Sequence, residues 1–377
     1  MDEEPREPAL SASGILVVNA GSSTIKLALV EEGRAVEAVE LPVPAEEGFG
    51  EAIEAALDGW AAPQAVAHRI VHPGAGLGVS SRLDPSVRSQ LQGGAELAPL
   101  HTGLALRAID CLLDLHPEVP QVACLDSAFH STLPAAASVY PLPREWRQRF
   151  GVRRLGFHGF SHAHASRRAS EMLGRPLERL RTVTCHLGAG ASLAAVSAGQ
   201  SVDTTMGFTP NEGLVMATRS GSVDPGALLW LVQRGGLPAR DVELALERES
   251  GLTGLAGTAD MREVLERSAA GDGPASTALG VYLHRLRGSI AAMAAAMGGL
   301  DALVFTGGVG ERSPEIRRGA CDGLGFLGVR LDPLKDGPES GDAELSADGA
   351  EVAVLRVAAR EDVELAREAR RVLSRGA

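Results

Sequence analysis

Residues 181–225 combine glycines and an arginine in a pattern suited to binding an anion. An apolar run from Val183 to Cys185 leads into the turn 186–190, HLGAG, and a second apolar run follows, which predicts a strand, a tight turn and a strand. Alternating glycines let a bulky anion approach backbone N–H groups. Arg219 follows in a Gly/Ser segment, and its guanidinium can donate two hydrogen bonds to one carboxylate or phosphate. Taken alone, the pattern is equally consistent with a hairpin followed by a surface arginine.

A second turn of the same kind lies near the start of the chain. Residues 15–30 read ILVVNAGSSTIKLALV, in which the turn carries amide and hydroxyl groups that are useful around phosphate. When the two segments are aligned on Asn19 and His186, a glycine follows two positions later in both turns. This repeat indicates a duplicated α/β domain. A third glycine-rich turn, 306–311, comes after a predicted strand and before a predicted helix, which is typical of a phosphate site.

Two charged residues lie in or directly after apolar strands. Arg69 lies within the predicted strand 65–72, where it either holds an anionic substrate or reaches water from an edge strand. Asp126 follows the predicted strand 121–125. Chemistry in α/β folds is found at the carboxyl ends of strands, although an aspartate there can also cap the next turn.

Three histidines precede or begin the predicted helix that ends near residue 173. His158, His162 and His164 have no nearby carboxylate and do not match zinc motifs, so they are not expected to bind a metal. His158 lies between glycines and is suited to donating a hydrogen bond to transferring oxygens.

The composition excludes several classes of protein. With a formal net charge of −12, the chain is a poor partner for nucleic acid or an anionic membrane. Its four cysteines are scattered without CxxC spacing, which predicts reduced core residues in a cytoplasmic protein. The longest apolar run, 290–300, is too short to cross a membrane, which takes about 20 residues. The acidic segment 1–13 is predicted to be a disordered tail and not a signal peptide.

Together these motifs make the chain resemble the acetate kinase family, which includes propionate kinases. The resemblance extends from about residue 15 to about residue 370. It rests on ordered blocks that read NAGSSTIK (19–26), HRIVH (68–72), APLH (98–101), DSAFHSTLP (126–134), RRLGFHGFSH (153–162), HLGAGAS (186–192), VDTTMGFTPNEGL (202–214), TRSG (218–221), DMRE (260–263) and FTGGVGE (305–311).

The resemblance implies a fold and a division into domains. The family belongs to the acetate and sugar kinase/Hsp70/actin superfamily, so the implied fold is α/β, a duplicated two-domain actin-like (ribonuclease H-like) ATPase fold with a central cleft. The N-terminal domain would comprise residues 14–130 and 364–377. The C-terminal domain would comprise residues 131–363 and hold the nucleotide and the interface of a homodimer.

The resemblance also assigns roles to residues of the motifs. Those implied in catalysis are Asn19, Arg69, Asp126, His158 and Arg219. Those that would bind the substrate carboxylate or wall its acyl chain are Arg69, Val71, Leu100, Phe157, Pro210 and Arg219. Those around ATP would be Ser22, Thr24, Lys26, His186, Gly188, Gly190, Asp260, Arg262, Gly308, Val309 and Gly310, and His101 would lie beside the transfer path. Asn19 and Glu361 would hold Mg²⁺.

The implied reaction is the reversible transfer of the ATP γ-phosphoryl group to acetate, giving acetyl phosphate and ADP. A carboxylate with a pKa of about 4 is ionised at pH 7, so no general base is needed. The protein must instead offset the repulsion between two anions and hold them in line, which arginines, a histidine and Mg²⁺ can do. Asp126 is therefore predicted to orient an arginine or the metal, and transfer is predicted to be direct, without a phosphoenzyme. Closure of the cleft would keep water from the acyl phosphate.

Two departures from the family pattern concern the phosphoryl donor. Ala189 and Arg312 stand where the family usually has asparagine, which motivates the alternative of a donor other than ATP. A propionate kinase is a second alternative, because one methylene in a pocket changes binding by only ~1–3 kcal/mol. A third alternative, a non-catalytic nucleotide-binding switch, would have no use for the two arginines, the histidine and the aspartate.

Overall fold

The computed structural model describes residues 14–21, 24–44, 48–72, 77–93, 99–339 and 341–375, with only the backbone for 99–101. The tail 1–13, Ser22 and the side chains of Leu100 and His101 therefore lie outside the described part of the chain. The strands within it are β1 Ile15–Ala20, β2 Thr24–Glu31, β3 Arg34–Pro42, β4 Ala65–Ile70, β5 Ser81–Arg82, β6 Gln121–Leu125, β7 Arg181–Leu187, β8 Ala191–Ser197, β9 Gln200–Thr204, β10 Ala302–Thr306, β11 Ala343–Glu344 and β12 Ala353–Arg356.

The α-helices of the described residues vary from one turn to nearly seven. They are α1 Phe49–Leu57, α2 Pro85–Gly93, α3 Pro99–Leu115, α4 Ala135–Ser138, α5 Arg144–Phe150, α6 Gly159–Leu173, α7 Pro225–Gln233, α8 Ala239–Leu244, α9 Gly251–Ala256, α10 Met261–Ala269, α11 Gly273–Ala296, α12 Gly307–Arg312, α13 Pro314–Cys321 and α14 Glu361–Ser374. None of these helices is long and apolar enough to span a membrane.

The chain forms two compact units. Unit 1 is Met1–Ala128 with Arg360–Ala377, and unit 2 is Phe129–Ala359. The sequence-based boundaries, 130/131 and 363/364, lie a few residues later and assign Glu361 to the C-terminal domain. In the structure α14 begins at Glu361 and packs on β1, β4 and β6, so Glu361 belongs to unit 1.

Unit 1 contains a six-stranded mixed sheet in the order β3-β2-β1-β4-β6-β5. β1 to β3 form an antiparallel meander, whereas β4 pairs in parallel with both β1 and β6. Helices cover both faces, because Ala123 and Leu125 of β6 pack with residues of α3, and the intervening Cys124 contacts α14. This explains why β1, β4 and β6 are almost entirely buried.

Unit 2 repeats this arrangement. Its six-stranded sheet has the order β11-β12-β10-β7-β8-β9, with an antiparallel meander from β7 to β9 and parallel pairing of β10 with both β7 and β12. Ala165 and Ala169 of α6 pack on Val304 and Leu355. The two sheets therefore share one strand order and one pattern of directions, which confirms the predicted duplication.

The two glycine hairpins are also equivalent in register. Asn19 is the last but one residue of β1 and His186 the last but one of β7, and they pair with Lys26 and Ser192 respectively on the following strand. Both predicted strand–turn–strand units are therefore confirmed, as is the alignment of Asn19 with His186.

The third glycine segment is not a turn. Residues 307–312 form the short helix α12. Gly307, its first residue, has φ +80°, and a Cβ there would lie 2.8 Å from the carbonyl oxygen of Leu187, so both the backbone conformation and the space require glycine. Glu311 Oε1 accepts from the Gly307 N–H at 3.1 Å and closes the first turn. The glycines of this segment allow α12 to pack closely against β7, so the predicted turn is a helix instead.

Candidate active site

Arg69 is the centre of an ion-pair cluster in unit 1. β4 lies between β1 and β6, so the alternative that Arg69 reaches water from an edge strand is wrong. Its Nε and Nη2 donate to the two carboxylate oxygens of Asp126 at 3.0 and 2.6 Å, a bidentate pair. Its Nη1 donates to Asn19 Oδ1 at 3.2 Å and lies 3.2 Å from Glu361 Oε2. These four residues are hereafter the Arg69 cluster.

The sheet explains how the Arg69 cluster assembles. Asn19 and Arg69 lie near the carboxyl ends of the neighbouring parallel strands β1 and β4, and Asp126 directly follows β6. Glu361 is the first residue of α14, which packs on the same strands. Burial opposes the charge on Arg69, but Asp126 and Glu361 outweigh it and raise the pKa of the guanidinium. Arg69 is therefore a fully paired cation.

The Arg69 cluster has the donor atoms that a magnesium ion requires. Two carboxylates and one guanidinium leave a formal charge of −1, and the side chains of Asn19 and Glu361 lie 3.4 Å apart (Nδ2 to Oε2). Magnesium prefers oxygen ligands and usually takes one or two carboxylates together with substrate phosphates. No group of three or more His, Cys, Asp or Glu among the described residues could hold a metal alone. The residues present thus fit Mg²⁺ bound jointly with a phosphate.

A second polar group, in unit 2, consists of His158, His186 and Arg219 and is hereafter the His158 group. His158 precedes α6 in the left-handed conformation, φ +56°, which is uncommon for a residue other than glycine. Its ring centroid lies 4.4 Å from that of His186. A Cβ at Gly190 would lie 3.3 Å from His158 Nε2 and 3.5 Å from Arg219 Nη1. Both side chains thus approach the β7–β8 turn where it has no side chain.

Arg219 differs from Arg69 in its charge environment. Its Nη1 donates to the carbonyl oxygen of Pro210 at 3.3 Å and lies 3.8 Å from Met216 Sδ, and within the described residues it makes no ion pair. Burial lowers the pKa of Arg219 more than the distant Glu247 raises it. A half-buried guanidinium without an ion pair is costly unless a ligand supplies the anion. Arg219 is therefore placed to bind one.

Buried hydroxyl groups orient the histidines. Ser161 Oγ lies 2.7 Å from His186 Nδ1, and Ser192 Oγ lies 2.9 Å from His158 Nδ1. His162 Nε2 bonds to the same Ser192 Oγ at 2.7 Å. Burial, with the nearby His130 and His186, lowers the pKa of His162 well below its usual value, so this histidine is neutral. His158 and His162, two of the three histidines that were not expected to bind a metal, thus bond to hydroxyl groups.

A pocket of about 570 Å³ in unit 2 brings together five of the eleven residues predicted to bind the nucleotide. Its volume is that of a small-molecule site. Five predicted residues line it, Gly188, Asp260, Arg262, Gly308 and Val309, together with the two family departures Ala189 and Arg312. The sequence interpretation missed its apolar wall, Leu252, Met261, Leu265 and Tyr282, because these residues carry no local signal beyond ordinary helix patterning.

Asp260 and Arg262 have a structural role in this pocket. Asp260 Oδ1 accepts from the Arg262 N–H at 2.9 Å and caps α10. The Arg262 guanidinium pairs with both oxygens of Asp260, at 2.7 and 3.2 Å, and hydrogen bonding from Arg262 lowers the pKa of Asp260. The pair fixes the start of α10 at the pocket wall.

The remaining predicted residues are placed as follows. Lys26 lies opposite Asn19 on β2, exposed and 3.6 Å from Glu40. Thr24 begins β2, and Val71, half-buried, follows β4. Phe157 is fully buried next to His158. Gly310 does not line the pocket, because it is buried within α12.

Comparisons with known proteins agree with this architecture. A model of the acetokinase family matches residues 53–367. The acetate kinase of Gloeobacter violaceus is 49% identical over 305 residues, which is 80% of this chain and 75% of that protein. The crystal structure of Porphyromonas gingivalis acetate kinase superimposes with a TM-score of 0.87 at 34% identity, covering 96% of this chain and all of that one. A propionate kinase from Francisella tularensis gives 0.86 at 31% identity, covering 94% and 98%.

The likeness to these structures extends over nearly the whole chain, and the matched region includes parts of both units. It confirms the predicted α/β, two-domain actin-like fold, and it excludes the reading of the chain as a mere nucleotide switch, since the matched proteins are kinases. With identity above 30% across this much of the sequence, the chain belongs to the acetokinase family.

Proposed function

We propose that this chain is a kinase that reversibly transfers the γ-phosphoryl group of ATP to acetate, giving acetyl phosphate and ADP. The observation that carries the proposal is the approach of His158 and Arg219 to Gly190. The same turn contributes Gly188 and Ala189 to the nucleotide pocket. A cation without an ion-pair partner thus lies beside the turn that the phosphates of a bound nucleotide would contact.

The chemistry needs charge neutralisation and alignment more than proton transfer. The acceptor carboxylate is ionised at neutral pH, so it attacks phosphorus directly. Arg219 and His158 would donate to the oxygens of the transferring group, whose charge is spread over three oxygens in the transition state. Arg69 would assist from the Arg69 cluster, where Asp126 fixes its guanidinium by the bidentate pair. Asp126 then acts by orientation, and no phosphoenzyme forms.

Asn19 and Glu361 would hold Mg²⁺ through their oxygen atoms, and the ion would neutralise phosphate charge. The remaining negative charge of the Arg69 cluster, with Asp126 already committed to Arg69, supports this assignment. The amide of Asn19 and the carboxylate of Glu361 keep their positions through Arg69 Nη1, which contacts both.

The acyl group would contact Val71, Phe157 and Pro210, with Leu100 as a fourth member of the wall. Pro210 also orients Arg219, whose Nη1 donates to its carbonyl. Propionate is the alternative substrate, and its discrimination from acetate depends on the depth of this wall. A second alternative is a different phosphoryl donor, because Ala189 and Arg312 both line the nucleotide pocket.

A hydroxamate assay for acyl phosphate tests the reaction. The protein is supplied with Mg²⁺ and ATP, GTP or pyrophosphate, and with acetate or propionate. Arg219→Ala is expected to lower kcat by about 100-fold or more, as removal of a transition-state donor does. Arg285→Ala, on an exposed position of α11, is the control and should leave the rate unchanged. Absence of acyl phosphate with every donor, or full activity of Arg219→Ala, would contradict the proposal.

We also propose that the protein is a cytoplasmic homodimer. The apolar helix α7 has no buried residue in the single chain, and Leu229 and Trp230 are 57% and 60% exposed. A second copy of this chain would cover that face. The cytoplasmic location is supported by the four cysteines of the chain, which are all free thiols. Sedimentation of the protein should give a dimer and that of Trp230→Glu a monomer; a wild-type monomer would contradict the proposal.

A further inference from the structure

A chain of buried hydrogen bonds connects His158 to strand β7. His158 Nδ1 bonds to Ser192 Oγ at 2.9 Å, and Ser192 Oγ bonds to His162 Nε2 at 2.7 Å. His162 Nδ1 bonds in turn to Thr184 Oγ1 at 2.7 Å. Ser192, His162 and Thr184 are fully buried. Each hydroxyl has one proton and a neutral imidazole has one N–H, so every bond in the chain restricts the direction of the next.

Thr184, at the far end of this hydrogen-bond chain, determines which group donates in each bond. The Thr184 hydroxyl also contacts the carbonyl oxygen of Ala194, at 3.4 Å, and a carbonyl can only accept. Thr184 therefore donates its proton to Ala194 and accepts from His162 Nδ1–H. His162 is neutral, so its Nε2 has no proton and accepts from the Ser192 hydroxyl. Ser192 has then used its proton and accepts from His158 Nδ1–H.

We propose that His162, through Ser192, is a positioning residue that holds the proton of His158 on Nδ1. The Nε2 edge of His158, which approaches Gly190 and Arg219, then carries a proton only when the ring is an imidazolium. His158 would donate to a phosphoryl oxygen as a cation and lose this ability on deprotonation. The inference rests on the proposed function of His158, but the tautomer itself can be measured without substrate.

The surroundings of His158 are compatible with this assignment. The titratable or charged groups that the described contacts bring near it include His186 from β7, His162 from α6 through Ser192, and Arg219 from the segment before α7. Arg219 disfavours the imidazolium, whereas a phosphate between the two would favour it. The charged form of His158 is therefore expected to coincide with bound nucleotide or acyl phosphate.

Long-range ¹H–¹⁵N NMR of histidine-labelled full-length protein tests the tautomer directly. The His158 signals are assigned by their loss in His158→Asn. Above the pKa of His158, wild type is expected to carry its proton mainly on Nδ1. A neutral ring that carries its proton mainly on Nε2 would overturn the proposal, whether or not the protein proves to be a kinase.

Thr184→Val tests the proposed origin of the tautomer at a distance of three hydrogen bonds. Without the Thr184 hydroxyl, His162 would shift its proton to Nε2 and donate to Ser192, which would then donate to His158 Nδ1. His158 should change to the Nε2–H tautomer. Thr182→Val is the matched control, because Thr182 lies on the same strand, is equally buried and has a hydroxyl without a hydrogen-bond partner. An unchanged His158 tautomer in Thr184→Val, or the same change in Thr182→Val, would overturn the proposal.

The pH dependence of kcat gives a second measurement. Wild type and Thr182→Val should lose activity at alkaline pH, with the midpoint at the pKa that NMR finds for His158 in the complex. In Thr184→Val the neutral ring keeps a proton on Nε2, so this alkaline decline should become shallower or disappear. A decline identical to that of wild type would count against the proposal. If the protein made no acyl phosphate at all, the proposed function would fail while the NMR result still decided the tautomer.

Discussion

Two arginines that the sequence presents as equivalent differ in their chemistry. Arg69 directs its guanidinium at Asp126, Asn19 and Glu361, so its charge is balanced within the protein. Arg219 contacts a carbonyl and a thioether, and no described carboxylate pairs with it. A charge that the fold leaves unbalanced is one that an anionic substrate can use. At the scale of single residues, the environment of each guanidinium therefore indicates its role. Arg69 is held in a fixed orientation by its partners, whereas Arg219 is placed to bind an anion.

The absence of a side chain at Gly190 is predicted to be necessary for activity. A methyl group at Gly190 would come within 3.3 Å of His158 Nε2 and 3.5 Å of Arg219 Nη1. Gly190→Ala should therefore shift the His158 ring by a few tenths of an ångström and place a methyl group against Arg219 Nη1, and it should lower kcat/KM by about 10-fold, less than the ~100-fold loss that a displacement of about 1 Å can cause. Gly280→Ala is the control, since a Cβ there meets nothing within 4 Å. Steady-state kinetics of the two variants, with circular dichroism to verify folding, would show the difference; equal activities would contradict the prediction.

At the scale of elements, one buried arginine holds the helix that lines the nucleotide pocket. Arg317, on α13, donates to the carbonyl oxygens of Gly310 and Glu311 at 2.8 and 2.7 Å. It also forms a fully buried ion pair with Asp336 at 2.6 Å and donates to Gly337. These bonds satisfy carbonyl groups at the end of α12, which have no partner within the helix. The position of Gly308 and Val309 in the pocket thus depends on a residue outside it.

Loss of this arginine should destabilise unit 2. Arg317→Met would leave Asp336 buried beside only Arg318, and breaking a buried ion pair costs about 3–5 kcal/mol. Arg318→Met provides a matched control, because its side chain is 45% exposed and its pair with Asp336 should contribute at most about 1 kcal/mol. Urea unfolding of both variants measures the two losses. A loss in Arg317→Met no larger than that in Arg318→Met would show that the buried pair does not hold α12.

At the scale of the whole molecule, both units bury neutral histidines. His68 in unit 1 bonds to Gln121 Oε1 at 2.7 Å, and His130 in unit 2 bonds to Ser201 and to the carbonyl oxygen of Phe157. Burial lowers the pKa of each to about 4, and the bonds to Gln121 and to the Phe157 carbonyl offset only part of that effect. Protonation of either ring would leave an uncompensated charge in a core.

Because the pKa values of His68 and His130 are lowered, we expect the free energy of unfolding to fall in mild acid. Their pKa in the folded protein, about 4, lies below the ordinary value of about 6.5, so the unfolded chain binds protons first. The free energy of unfolding should therefore decrease as pH falls from about 6.5 to about 4, by up to ~1.4 kcal/mol per pH unit for each histidine. Urea unfolding of His68→Gln between pH 4.5 and 6.5 should show a smaller slope than wild type. His284→Gln, at an exposed position, should keep the wild-type slope, and an unchanged slope in His68→Gln would contradict the prediction.

The sequence by itself determined the features that local chemistry encodes. Glycine-containing turns between apolar runs specified both hairpins, and the alignment of the two segments specified the duplication, because strand and turn preferences act over a few residues. Ordered motifs identified the family and the residues around which both polar groups assemble. The helical state of residues 307–312 was not predicted, because glycine has a low helix propensity and the helix depends on Glu311 and on packing against β7.

Only the tertiary structure decided how these residues act on each other. Asn19 and Glu361 lie 342 positions apart in the chain, and no local pattern shows that they meet at Arg69. The apolar wall of the nucleotide pocket, the pinning of α12 by Arg317 and the hydrogen-bond chain behind His158 also join separate segments. Long-range contacts depend on how strands are ordered and how helices pack, whereas residue type and spacing indicate only the local structure of a few neighbouring residues. The reactive groups can therefore be read from the sequence, but their partners and charge states require the fold.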